Sequence, residues 1–153
     1  MKIGYDPKDA VRHVVHDYVY LVVAGTDTTR GNPHPFNHYA ERTFHVHCRA
    51  LALFFSNASD RRDLYARHLT KSASVRAIPT WDHWHDHIDK HLMHLTVGRT
   101  TNKIPWTGEP NKAIFKEFTH VWGEFMAELK DELKPLFASE LRKHRADYPK
   151  YPI

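Results

Sequence analysis

Apolar residues recur with a helical period through five separate stretches of this chain, and residues that start or stop helices separate the stretches. Between Asp9 and Ala24, the residues Val11, Val14, Val15, Tyr18, Leu21 and Val22 fall within about 120° of one another at about 100° per residue. His13, His16, Asp17 and Tyr20 occupy the opposite side. The β-branched residues also suit a strand, but the 3.6 period holds along the whole segment and predicts a helix that stops at Gly25. Thr26 to His34 reads as a surface loop. A second helix is predicted from near Pro35 or Asn37 to about Ser56, apolar over most of its circumference through Tyr39, Phe44, Val46, Leu51, Leu53, Phe54 and Phe55. Its polar strip holds His38, Glu41, Arg42, His45 and Arg49.

The remaining segments follow the same logic. Ser59 is a cap for a short third helix, Asp60 to about Thr70. Thr80 caps a fourth, Trp81 to Thr96, with Trp81, Trp84, Ile88, Leu92 and Leu95 on one face and Gly98 past its end. Pro110 starts a fifth with a stripe of Ile114, Phe118, Val121, Trp122, Phe125, Leu129 and Leu133. Pro135 should kink or restart it before Leu136 to Arg145. The expectation is an all-α bundle of four long helices and one short one, spanning 1–153 as a single domain, with 146–153 as an irregular tail.

Composition removes several classes. At 153 residues and 41% hydrophobic, the chain has enough apolar material for a core. A single cysteine, Cys48, makes no intrachain disulfide, and its apolar helical setting reads as a buried inert thiol. No run approaches a membrane span and no apolar signal core opens the chain, so a cytoplasmic location is expected. Fourteen histidines accompany a formal net charge of +4. Protonating them all adds as many positive charges again, so charge and solubility should vary steeply between neutral and mildly acidic pH. Acids and bases are interspersed, which permits an acidic partner such as RNA without demanding one.

Histidine supplies the candidate chemistry. On a helix, His83, His87, His91 and His94 lie within about 80° of one another, bordering the apolar face. His87 and His91 stand one turn apart, a spacing that can bind one metal ion from one helix. A closed shell needs ligands from a neighbouring helix, and Glu41 and His45 share a face of the second helix with His38. Zinc or another divalent transition metal held by His87, His91, His45 and Glu41 is one reading; histidines bonded to carboxylates and backbone are the other. Gly-rich phosphate loops, nucleophile elbows, His-Glu-x-x-His and Cys-x-x-Cys pairs do not occur, and no small-molecule cofactor is inferred.

The stretch Ile88-Asp89-Lys90-His91-Leu92-Met93-His94 resembles the Arg-Asn-Lys-x-Leu-Ala-His pattern of HEPN domains. These are small all-α bundles, many of them ribonucleases of bacterial toxin–antitoxin, abortive-infection and CRISPR systems. The layout from about 38 to 99 is similar, with His47-Cys48-Arg49-Ala50-Leu51 on a central helix ahead of that motif. Lys90, Leu92 and His94 match. Asp89 stands where Asn is usual, and Ile88 stands where the family carries its phosphate-stabilising Arg. The resemblance therefore implies a nucleic-acid-related or defence-associated module, bacterial and dimeric, that is either catalytically degenerate or a metal-independent ribonuclease with a relocated Arg. It places His94, Lys90 and Arg49 as catalytic candidates and Arg49, Lys90 and Arg99 as contacts to RNA. The alternative is a non-catalytic histidine-rich bundle that binds a divalent metal or a protein partner. Self-association as a two-fold homodimer is expected on separate grounds, because the second helix carries more apolar residues than one buried stripe needs. Any site should lie between the second and fourth helices, around His94, His91, His87, Lys90, His45, Glu41 and Arg49. The polar strips there adjoin apolar faces and must find partners.

Overall fold

A computed structural model describes residues 6–30, 36–56, 64–72, 76–89 and 109–153. The described residues are all-α, with six helices and, apart from one isolated bridge, no β-structure. They are α1 (Pro7–Thr29), α2 (Phe36–Phe55), α3 (Ala66–Leu69), α4 (Pro79–Ile88), α5 (Glu109–Ala127) and α6 (Lys134–Asp147). The central pairing is α1 on α2, with α6 and α5 packed on α1 and α4 lying against α5 and α2.

Periodicity and structure agree closely on α1. Asp6 caps it by accepting from the Lys8 N–H at 2.8 Å, and Pro7 opens the first turn. All six residues of the predicted stripe, Val11 through Val22, are buried. The predicted stop at Gly25 is wrong: the helix runs four residues further, to Thr29, into the first part of the expected loop. Gly25 is buried at a helix crossing, where a Cβ would stand 2.7 Å from the Phe115 ring and 3.1 Å from Phe44. The glycine serves close packing, so it carried no termination signal here.

Two other boundaries shift. Of the predicted third helix, the described part is helical only at Ala66–Leu69, with Tyr65 extended just before it. Helix α4 begins at Pro79 rather than after a Thr80 cap. The Thr80 N–H and hydroxyl instead donate to the Glu117 carboxylate of α5, at 2.9 and 2.5 Å. The motif half of the predicted fourth helix, from Lys90 on, lies outside the described residues.

The chain restarts at Pro135. Helix α5 ends at Ala127, and Glu128–Leu133 form a turn that is tied sideways to the segment after α3. Lys71 N–H donates to Glu128 O at 2.9 Å and Lys130 N–H to Leu69 O at 3.1 Å, making an antiparallel bridge between Thr70 and Leu129. Buried Arg76 meets the Glu128 carboxylate at 2.7 Å, and the Ser72 hydroxyl donates to the same group. Leu129 and Leu133 still reach the core with Ile114, Phe118, Val121, Trp122 and Phe125. The stripe was therefore real although the helix is broken. Phe137 carries the core into α6, and Tyr18 stacks on Trp122 at 3.9 Å.

Candidate functional site

Helix α2 distributes its polar strip between two neighbours. His45 and Glu41 turn to α5. The buried Asn111 side chain accepts from His45 Nε2 at 2.8 Å and donates to Glu41 at 2.8 Å. Burial holds the His45 imidazole below its usual pKa, opposed by the Asn111 bond and the Glu41 charge. Asn111 thus joins two of the four predicted metal ligands through its amide, a role that its place at the start of α5 gave no reason to expect.

Arg49 turns the other way. Its guanidinium is 3.6 Å from the carboxylate of Asp89, which stands at the end of α4 and lies outside the histidine strip of that helix. Between the helices runs a groove of about 670 Å³ lined by Val46, Arg49, Leu53, Trp81, His85 and Asp89, among others. His87 is half-buried at the edge of Trp84, and His83 and His85 are exposed. Lys90, His91, His94 and Arg99 lie outside the described residues.

The open side of α2 continues from this groove. Tyr39 is 64% exposed, Val46 45% and Leu53 48%, and Arg42 and Arg49 are exposed as well. At about 100° per residue these five fall within about 80° of one another, one stripe of alternating apolar and cationic side chains. The aromatic content of α2 predicted burial on several sides. Phe44, Cys48, Leu51, Phe54 and Phe55 are buried as that expectation required, and burial pushes the Cys48 thiol well up. Tyr39, Val46 and Leu53 depart from it.

A second cluster lies across the molecule. His47 of α2 places Nδ1 2.9 Å from the Asp17 carboxylate of α1, and His16 Nδ1 is 3.8 Å from the same oxygen. The His16 ring is 5.8 Å from that of His47 and 6.5 Å from that of His144 on α6, centroid to centroid. Tyr20 lies against both α1–α2 imidazoles, at 4.4 Å from His16 and 5.4 Å from His47, and accepts from the Tyr148 hydroxyl at 3.1 Å. Sequence reasoning assigned His16, Asp17 and Tyr20 to the outward face of α1. Their shared face was visible there; that α2 and α6 pack over it was not.

Among the described residues no helix is long and apolar enough to cross a membrane. Comparison with protein-family models, with curated proteins and with solved structures finds no match.

Proposed function

We propose that this protein is a HEPN-like helical bundle that binds RNA along the open face of α2 and does not cleave it. The observation that carries this reading is the mixed stripe of Tyr39, Arg42, Val46, Arg49 and Leu53 beside the α2–α4 groove. Cationic side chains that track a phosphate backbone, interleaved with an aromatic ring on which a base can stack, are what single-stranded nucleic acid requires. The stripe ends where α4 delivers Asp89, the residue before Lys90 of the resembling motif. Ile88 is buried where the family has its Arg, so the phosphate-stabilising charge is missing from that position and a binding role follows in place of hydrolysis.

The test is fluorescence anisotropy of a labelled single-stranded RNA against salt concentration. Saturable binding that weakens steeply with salt is expected, and Arg42→Glu with Arg49→Glu should weaken it at least tenfold, roughly 1.4 kcal/mol. Binding absent at low salt, or indifferent to both reversals, ends the proposal.

A further inference from the structure

We propose that His16, Asp17, His47 and His144 form a binding site for one divalent transition metal of the zinc type. One ligand atom from each of His16, Asp17 and His47 lies within 4.8 Å of the others, and this is the group of that kind found among the described residues. Ligands at about 2.0–2.2 Å from a tetrahedral ion stand roughly 3.3–3.5 Å apart, so modest side-chain rotation brings these three onto one ion. Imidazole rings that share such an ion have centroids roughly 5–6 Å apart, near the 5.8 Å between His16 and His47. Two or three imidazoles and one carboxylate suit zinc, nickel or cobalt and are a poor match for calcium or magnesium.

A plain hydrogen-bonded cluster accounts for less. The Asp17–His47 contact needs no ion, but it does not account for His144, which stands next to the three-ligand group and outside it. Its Nδ1 is buried and has no hydrogen-bond partner, while its ring stands edge to face with that of His16 at 6.5 Å. A buried ring nitrogen without a partner is costly in a helix that had every opportunity to place another residue there. As a fourth ligand it closes the shell. The Tyr20 ring, fixed by the Tyr148 hydroxyl, walls one side of both α1–α2 imidazoles, the apolar surround that such sites use to limit water. A closed four-ligand site is structural: it would tie α1, α2 and α6 together.

The experiment loads the full-length metal-free protein with zinc chloride or cobalt(II) chloride and measures bound metal after dialysis. One equivalent is expected, with a raised melting temperature that chelator reverses and the intense visible absorption of low-coordinate cobalt. His16→Ala with His47→Ala should abolish uptake, and His144→Ala should weaken it at least tenfold. The exposed pair His83→Ala and His85→Ala should leave it unchanged. X-ray absorption of the zinc-loaded wild type reads the shell without any substitution: two or three imidazoles support the site, and one or none overturns it. Substoichiometric uptake, or full uptake by the His16/His47 variant, also overturns it. Full affinity in His144→Ala removes the fourth ligand from the proposal.

Discussion

At the scale of single residues, Gly25 and Tyr18 show how side-chain size and burial set what α1 tolerates. A methyl group at position 25 would collide with Phe115 and crowd Phe44. Gly25→Ala should cost about 1–3 kcal/mol in denaturant unfolding, despite alanine's better helix propensity. Trimming the ring it strikes, with Phe115→Leu in the same chain, should recover part of that loss; equal losses with and without the trim would show that the collision is not the cause. Tyr18 is buried against Trp122, and its phenol is pushed up to about 12. The raised value fixes the sign: the unfolded chain ionises first, so the native state's advantage is intact below about pH 10 and disappears as pH climbs toward 12. The pH-dependent loss should be at most roughly 2–3 kcal/mol, and Tyr18→Phe should flatten that part of the alkaline stability curve.

Among the elements, the turn between α5 and α6 is the clearest case of structure that local sequence could not announce. Its stripe positions were legible, and Leu129 and Leu133 are buried where the period put them. The break depends on a segment some sixty residues earlier in the chain: Arg76, Ser72 and the Thr70 backbone all converge on Glu128 and Leu129. No helical wheel contains such a pairing. The same holds for Glu117, whose carboxylate holds the first turn of α4 from a different helix. Replacing Glu128 by Ala removes the carboxylate that the buried Arg76 guanidinium meets at 2.7 Å and should cost about 2–3 kcal/mol, because breaking a buried ion pair from one side is strongly destabilising. Asp131 makes contacts of similar length to Lys71 and Lys134 but is exposed, so Asp131→Ala should barely move the unfolding midpoint. Equal effects from the two substitutions would contradict this account.

For the whole molecule, the open face of α2 bears on self-association, and a second copy seated there would compete with RNA for the same stripe. Tyr39, Val46 and Leu53 are spaced by sevens, so two antiparallel copies of α2 crossing at Val46 would set Tyr39 of one against Leu53 of the other. In that register Arg42 comes level with Ala50 of the partner and one residue from its Arg49, a like-charge approach that salt would screen. A two-fold dimer is the expected outcome in light scattering, and Val46→Glu should return it to monomer; a wild type that stays monomeric at tens of micromolar ends this expectation. Fold class and the buried faces of α1 and α5 were legible because each is a local period. The site was legible only in part. The strip on α2 was found, but which helix each member faces is decided by packing. His16, Asp17, His47 and His144 come from three helices, and no spacing in the chain relates them.

The short turn before Pro135 also governs which molecule α6 belongs to. Helices α5 and α6 share one apolar stripe and are separated by only Glu128–Leu133, so straightening that turn would merge them into a single rod, part Phe137 from Trp122 and Phe125, and lift Tyr148 off Tyr20 of α1. A rod of that kind re-buries its end on α1 of a second chain, an exchange of identical parts that needs no new contact. Pro135 opposes it, because it has no N–H for the carbonyl of Asp131 and its ring crowds that turn. Pro135→Ala, a change at an exposed position that touches none of the core, should therefore release intertwined dimers that form on refolding at high concentration and separate only on unfolding.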